Sequence, residues 1–190
     1  MFAEALRRNL QVLELELSAG QLGQLETHFK LLNRWNKVLN LTRIQDIEEV
    51  VQLHYCESLF LATQLPFGAL KIVDVGSGAG FPGIPVAILR AECSTVLVEC
   101  HQRKAVFLNE TRRSIESFQV LNQRLEDVSE RFDWAISRAV NLRHIDDSLK
   151  RIAPNIAALA GEDPPDDRST WNKIKVPYGN RRFLWLHSST

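Results

Sequence analysis

The sequence predicts an α/β fold: a doubly wound, mostly parallel sheet with an N-terminal helical extension. A short β-branched run, 70–75, ends at a glycine cluster, as a buried strand does where it enters a ligand-binding turn. After it, strand-like and helix-like segments alternate, and this alternation requires parallel pairing through crossover connections. Before it, residues 1–66 carry apolar side chains at helical spacing.

Capping residues indicate where the helices of the extension begin. An apolar stripe comes first, formed by Leu6, Leu10, Leu13 and Leu17. Ser18 with Gln21 three residues later is a capping box, which predicts a second helix. Asp46 with Glu49 is another box, and the helix that it opens is expected to reach Gln64, just before a proline.

Residues 67–190 are expected to form the core, with a shortened C-terminal part, and residues 1–66 are expected to pack on it. The predicted core strands are 70–75, 94–99, 119–123, 134–137 and 156–160, the predicted helices are 81–89, 103–118 and 141–152, and 174–176 with 183–186 is predicted to be a closing hairpin.

Composition indicates an ordinary globular protein, with 45% hydrophobic and 24% charged residues. The cysteines, Cys56, Cys93 and Cys100, show no CxxC pair, so we interpret them as small core residues of a cytoplasmic protein and predict no metal site. Because residues 1–15 are charged and amphipathic, we expect no signal peptide, and the sequence shows no apolar run long enough for a membrane span.

Charge is distributed unevenly although the formal net charge is zero. Residues 27–45 and 171–190 each carry four cations and no acid. A solvated surface explains either segment alone. Because the two segments flank one predicted nucleotide site, they are also compatible with a polyanionic substrate.

The glycine loop after the first strand predicts a nucleotide site. Gly76, Gly78 and Gly80 alternate, so the backbone can approach a ligand closely, and the helix N-terminus that follows presents free N–H groups. Gly78 and Gly80 with Gly83 also match the dinucleotide pattern, which leaves a nicotinamide cofactor as an alternative. Asp74 favours S-adenosylmethionine instead, because an acid at this position repels a pyrophosphate and suits an ammonium group, directly or through water.

Two further strand ends add candidate ligand contacts. Glu99, at the tip of the second strand, is placed to accept hydrogen bonds from ribose hydroxyls, in either kind of cofactor. The fourth strand ends in Ser137-Arg138-Ala139, without the proline-stiffened acceptor turn of amine methylation or the Pro-Cys of pyrimidine C5 methylation. Arg138 is expected beside the crevice where open α/β sheets bind ligands.

These residues resemble the RsmG (GidB) family, which methylates N7 of a guanine, position 527, in the 530 loop of bacterial 16S ribosomal RNA. The likeness runs from about Leu31 to Val140. It is carried by Trp35-Asn36, Asn40-Leu41-Thr42, His54, Glu57-Ser58, Val73-Asp74-Val75-Gly76, Gly80-Phe81-Pro82-Gly83-Ile84-Pro85, Arg103-Lys104, Phe107-Leu108, Arg124-Leu125-Glu126 and Ser137-Arg138-Ala139, with Val176-Pro177 and Arg181 in the closing hairpin.

The resemblance implies a class I, Rossmann-like methyltransferase that acts with S-adenosylmethionine in the cytoplasm, as a monomer, on 16S ribosomal RNA, the small ribosomal subunit or its assembly intermediate. The implied cofactor contacts are Gly76, Phe81, Leu125, Glu126 and Arg138. Contacts to RNA are expected from Arg138 and Arg181, and Arg103 and Lys104 either grip RNA phosphates or solvate the surface.

Guanine N7 has an in-plane lone pair and no proton, so no catalytic acid or base is predicted, and positioning supplies much of the rate. His54, Glu57 and Ser58 fall on one helical face and are interpreted as a packed polar cluster, with a substrate-side role as the alternative.

The chain departs from the family pattern at Leu159-Ala160-Gly161, where the family has a lysine before the glycine. This departure and the short segment from Gly161 to Val176 leave a cofactor-binding paralogue without activity as one alternative to the methyltransferase. The dinucleotide-like glycine spacing leaves a small NAD-dependent oxidoreductase as the other.

Overall fold

The computed structural model describes residues 1–165 and 170–188, and a mixed sheet forms its centre. The sheet has the strand order β3-β2-β1-β4-β5-β7-β6. Neighbours from β3 to β5 pair in parallel, whereas β7 is antiparallel to β5 and to β6. The strands are β1 Lys71–Val75, β2 Ser94–Val98, β3 Gln119–Leu121, β4 Trp134–Arg138, β5 Asn155–Ala160, β6 Asn172–Lys175 and β7 Phe183–His187.

This topology confirms the predicted doubly wound α/β fold and places a switch point beside β1. The chain builds outward from β1 through β2 to β3 and then returns to β4 on the other side. Asp74 therefore lies between Leu97 of β2 and Ile136 of β4. The carboxyl ends of β1 and β4 diverge at such a point, which leaves a crevice for a ligand.

The helices cover the two faces of the sheet unequally. Their bounds are α1 Phe2–Leu10, α2 Ala19–Leu39, α3 Ile47–Val50, a π-helical turn Val51–Cys56, α4 Glu57–Gln64, α5 Gly83–Leu89, α6 Gln102–Ile115 and α7 Asp146–Ile152. The N-terminal helices share one apolar cluster with α5 and α6, and α7 belongs to a second cluster with Val73 and Val75 of β1. The N-terminal helices therefore cover the face that carries α5 and α6.

The predicted caps of the N-terminal helices are present. The Ser18 hydroxyl accepts from the Gln21 amide at 3.2 Å, and the Gln21 side chain accepts from the Ser18 amide at 2.9 Å. Asp46 caps α3 by accepting from the Glu48 and Glu49 amides. The helix that follows is not uniform, because a π-helical turn separates α3 from α4, and nothing in the apolar spacing predicted that turn.

Several predicted bounds were wrong for identifiable reasons. The helix expected from Phe81 begins at Gly83, since the Gly80 and Phe81 amides both bond the Ser77 carbonyl and close a turn first. The helix expected to reach Phe118 ends at Ile115, because Glu116 adopts a left-handed conformation, φ 54°. The predicted helix 141–152 is split into a 3-10 turn, Leu142–His144, and α7.

One interpretation of the cysteines also needs correction. Cys56 and Cys93 are buried as expected, but Cys100 is exposed. It lies two residues beyond β2, at the carboxyl edge, where the chain leaves the sheet. Within residues 1–165 and 170–188, every helix is too short or too polar to cross a bilayer.

Candidate active site

The glycine loop joins β1 to α5 at the carboxyl edge of the sheet. Gly76, Gly78 and Gly80 all have positive φ, of 70°, 56° and 86°. At Gly80 a Cβ atom would also collide with the Ile84 side chain beneath it, so the residue must be glycine on two grounds. The loop is fixed on the β2 side, where the Gly76 and Ser77 amides bond the Val98 carbonyl at 3.0 and 3.2 Å.

Asp74 supports the loop from below. Its carboxylate is completely buried, and Oδ2 accepts from the Gly83 amide at the start of α5 at 3.0 Å. A Cβ on Gly83 would strike this carboxylate, so the glycine permits the contact. Oδ1 is buried without a hydrogen-bond partner, and burial raises the pKa of Asp74 to about 7. An oxygen of this kind is suited to a donor that a ligand brings.

Glu99 holds the loop from the side. Its Oε2 accepts from the Gly78 amide and its Oε1 from the His101 amide, both at 2.8 Å, and the side chain is 5% exposed. The Asn122 side chain donates to the Glu99 carbonyl at 2.8 Å and so connects β2 with the end of β3. A carboxylate oxygen can accept more than one hydrogen bond, so these contacts leave capacity for further donors.

A cleft opens beside the loop, between the carboxyl ends of β1, β2 and β4. Its volume is about 210 Å³, less than the ~300 Å³ at which whole-ligand pockets usually begin, so it fits one part of an extended ligand. The cleft brings together three of the predicted contacts, Gly76, Leu125 and Glu126. It is lined by these and by Val75, Val98, Cys100, Gln123, Arg124, Val140 and Ile145.

On the other face of the sheet, Phe81 and Arg138 form a second wall. The Phe81 ring stacks on His54 with centroids 4.8 Å apart, and the Arg138 guanidinium carbon lies 5.8 Å from the Phe81 centroid. Arg138 Nη1 donates to the Leu53 carbonyl, in the π-helical turn, at 2.7 Å. Burial lowers the pKa of Arg138 to about 10, so it stays cationic at neutral pH.

Behind this wall lies the polar cluster that the sequence predicted. His54 Nε2 lies 2.8 Å from the Thr42 hydroxyl, and the Ser58 hydroxyl donates to the His54 carbonyl at 2.6 Å. Glu57 is completely buried and accepts two hydrogen bonds from Arg182, at 2.8 and 2.7 Å. The packed interpretation of the cluster is therefore confirmed, but its cation is Arg182, which the sequence pattern did not single out.

Apart from Arg138, which borders Phe81, the predicted RNA contacts fall in two different places. Arg103 and Lys104 lie at the start of α6, near the carboxyl edge, and Arg103 is exposed. Arg181 lies in the closing hairpin, where its guanidinium bonds the exposed Glu162. Arg181 is therefore already paired, whereas Arg103 and Lys104 have no ion-pair partner in the described part of the chain.

Sequence comparison relates the chain to one family. The model of the family described as GidB, rRNA small subunit methyltransferase G, matches residues 21–162. A ribosomal RNA small subunit methyltransferase G from Nitrosospira multiformis is 38% identical over 141 residues, which cover 72% of this chain and 64% of that protein. The protein of that name from Clostridium beijerinckii is 35% identical over 148 residues, 73% of this chain and 62% of its own. The chain spans less than two thirds of the length of these relatives.

Comparison with solved structures shows the fold. A SAM-dependent methyltransferase from Aquifex aeolicus superposes with a TM-score of 0.57 at 15% identity, covering 77% of this chain and 95% of that one. TrmK of M. capricolum, solved with S-adenosyl-homocysteine, has a TM-score of 0.51 at 11% identity, covering 67% of this chain and 65% of that one. The described sheet is thus the Rossmann-like sheet of this fold class.

Proposed function

Because this chain belongs to the GidB family, rRNA small subunit methyltransferase G, we propose that it transfers a methyl group from S-adenosylmethionine to N7 of a guanine in the 530 loop of 16S ribosomal RNA. The observation that carries the proposal is the loop at β1, where Asp74 keeps a buried, partnerless oxygen beneath alternating glycines. A dinucleotide would bring a pyrophosphate to this position, and the carboxylate would repel it. The family match and the fold comparisons lend no support to an NAD-dependent oxidoreductase.

The site residues fit the parts of S-adenosylmethionine. Asp74 Oδ1 would accept from the ammonium group, directly or through water, and Glu99 from the ribose hydroxyls. The cleft at Gly76, Leu125 and Glu126 would take the adenine. Gly78 and Gly80 let the loop backbone run close to the ligand, and Phe81 with Arg138 would border the methyl end of the site. When bound, the cofactor supplies an electrophilic methyl group on a sulfonium sulfur.

Methyl transfer to guanine N7 requires little of the protein beyond positioning. Guanine N7 carries a lone pair in the ring plane and no proton, so no side chain has to remove one. The N7–carbon bond forms as the sulfur–carbon bond breaks, and the positive charge passes from sulfur to the guanine ring. The chain's contribution is to hold the base in line with the methyl group and to exclude water, which can supply several orders of magnitude in rate. We therefore assign no catalytic acid or base.

The RNA-facing surface is proposed at the ends of α2 and α6. These helices pack antiparallel, since the Gln24 side chain of α2 bonds the Ile115 carbonyl of α6 and Trp35 lies against Phe107. The C-terminal end of α2 therefore lies near the start of α6, at the carboxyl edge. Exposed cations without an ion pair in residues 1–165 and 170–188 cluster there, namely Arg34, Lys37, Arg43 and Arg103, with Lys104 half-buried beside them.

The second acid-free basic segment is less suited to RNA. Arg182 is paired with Glu57, Arg181 with Glu162, and Lys173 donates to the Glu162 carbonyl at 2.7 Å. Cations that are already paired gain less from phosphate contact, because the existing pair must first be broken. We accordingly keep Arg181 as a secondary RNA contact and give the first segment the leading role.

Calorimetry with separate ligands tests the cofactor assignment. S-adenosylmethionine and S-adenosylhomocysteine are expected to bind the intact chain, and NAD(H) and NADP(H) are expected to produce no heat of binding. Asp74→Asn is the matched variant, because it removes the charge that repels a pyrophosphate and keeps a side-chain oxygen that can accept from the Gly83 amide. Binding of a nicotinamide cofactor together with silence toward S-adenosylmethionine would overturn the proposal.

A further inference from the structure

A buried histidine of the N-terminal helical extension contacts the glycine loop. His28, on α2, is completely buried, and its Nε2 lies 3.0 Å from the carbonyl oxygen of Ala79. Its Nδ1 lies 3.1 Å from the hydroxyl of Tyr55, which is also completely buried. The ring packs among aromatic side chains, with centroid distances of 5.0 Å to Phe81 and 6.1 Å to Phe107. Both ring nitrogens thus have a partner inside the core.

The partners determine which nitrogen carries the proton. A carbonyl oxygen can only accept, so Nε2 of His28 must be the donor to Ala79. In the neutral ring Nδ1 then presents a lone pair, and the Tyr55 hydroxyl must donate to it. Burial lowers the pKa of His28 to about 4, which keeps the ring neutral near pH 7. Two hydrogen bonds therefore run in one direction, from Tyr55 through His28 to the loop.

This contact engages a backbone group of the loop that the two carboxylates do not bond. Glu99 and Asp74 accept from the amides of Gly78 and Gly83, whereas His28 donates to the carbonyl of Ala79 between them. We propose that His28, with its ring oriented by Tyr55, is a positioning residue that fixes the loop against α2 in its ligand-ready form. This inference rests on the proposed function, because it takes the loop as the cofactor loop, and it gives the N-terminal extension a role in cofactor binding.

The physical consequence is preorganisation. A loop that is fixed before the ligand arrives loses little conformational entropy on binding, so affinity is higher than for a loop that must be ordered. Without the Tyr55 hydroxyl, the buried Nδ1 of His28 loses its hydrogen-bond partner, and the ring is no longer oriented from that side. A ring that is free to shift holds the Ala79 carbonyl less firmly, which weakens the hold on the loop.

Tyr55→Phe tests the proposal with a minimal change. Its matched control is Thr111→Val, which also removes one completely buried hydroxyl, but one that bonds only the Phe107 carbonyl within α6. Long-range ¹H–¹⁵N NMR is expected to show the Nε2–H tautomer of His28 in all three chains, with the Nδ1 resonance displaced in Tyr55→Phe alone, because that nitrogen has lost its hydrogen bond. Amide exchange at residues 76–81 should speed up in Tyr55→Phe alone. The dissociation constant for S-adenosylhomocysteine should rise about three- to tenfold, as expected for one hydrogen bond.

A second pair of variants separates positioning from packing. His28→Gln keeps an N–H near the place of Nε2, so its affinity for S-adenosylhomocysteine is expected to stay within about twofold of that of the unaltered chain. His28→Phe fills the space without a donor, and its affinity should fall by more than about twofold. An Nδ1–H tautomer in the unaltered chain would overturn the proposal, as would equal affinity losses in Tyr55→Phe and Thr111→Val. If the unaltered chain binds no S-adenosylmethionine, the proposed function fails, while the ring-nitrogen shifts and the loop exchange still decide the role of His28.

Discussion

At the residue scale, the carboxylates of Asp74 and Glu99 both hold the connection between β1 and α5 in place. Each accepts a hydrogen bond from a backbone amide there, Asp74 from Gly83 and Glu99 from Gly78. Their positions at two strand ends could be predicted from the sequence, because an acid that follows a β-branched run at a glycine cluster is a local pattern. Their existing partners could not be predicted, because those depend on how the loop folds back over the strands. The partnerless Oδ1 of Asp74 is likewise visible only in three dimensions.

Asp74 is expected to make ligand binding pH-dependent. Its pKa is raised to about 7 by burial, and a ligand ammonium favours the ionised form, so binding should release the proton. The dissociation constant for S-adenosylhomocysteine should therefore rise as pH falls below about 7, by up to about tenfold per unit. Asp74→Asn should abolish this slope, and 5′-methylthioadenosine, which lacks the ammonium, should not show it. An unchanged slope in Asp74→Asn would rule out the ammonium contact.

Asp74 also affects the stability of the fold, and this effect has the opposite pH dependence to that of ligand binding. Because the folded-state pKa lies above that of the unfolded chain, Asp74 contributes stability that is complete below about pH 4 and is lost as pH rises through about 7. Ligand binding should offset that loss, since it supplies a partner for the ionised carboxylate.

Cys100 provides a test of where the adenine lies. It is the exposed cysteine and lines the cleft with Leu125 and Glu126, whereas burial raises the pKa of Cys56 to about 12 and keeps that thiol unreactive. A thiol reagent should modify Cys100 rapidly in the native chain, and saturating S-adenosylhomocysteine should slow this reaction. Cys100→Ser should remove the fast phase altogether. Rapid labelling that the ligand does not slow would place the adenine elsewhere.

At the scale of elements, the closing hairpin is attached to the start of α4 through the ion pair of Arg182 with the completely buried Glu57. Glu57, His54 and Ser58 could be grouped from their helical spacing, which is a local property. Arg182 could not be assigned to Glu57, because 125 residues separate them along the chain. The π-helical turn could not be predicted for a related reason. It presents the Leu53 carbonyl to Arg138, and such a tertiary contact is not encoded in the local helix propensity of residues 51–56.

Arg182→Met is expected to destabilise the fold, because it leaves the completely buried Glu57 without a cation. Removing one partner of a buried pair typically costs about 3–5 kcal/mol, which chemical denaturation would measure. The neighbouring Arg181→Met is the control and should change stability little, since its pair with Glu162 is exposed. Equal losses of stability in both variants would show that the pair with buried Glu57 stabilises the fold no more than the exposed pair does.

On the scale of the whole molecule, the alternation of strands and helices was enough to predict the sheet, because crossover connections leave few topologies. The position of the N-terminal helices was not predictable in this way. Their apolar faces are evident in the sequence, but only the structure places them on the face that carries α5 and α6, where α2 touches the glycine loop. The proposed RNA-facing surface also depends on the position of α2, because its antiparallel packing on α6 brings cations from two distant segments to one edge of the sheet.

The most direct test of the proposed activity is methyl transfer to small ribosomal subunits that lack the 530-loop modification. With labelled S-adenosylmethionine, the chain should transfer a stoichiometric methyl group to a single guanine, and borohydride with aniline should cleave the RNA there, as expected for an N7-methylated base. Subunits that already carry the modification should accept no label. Binding of S-adenosylmethionine without any transfer to unmodified subunits would contradict the proposal and identify a cofactor-binding paralogue without activity.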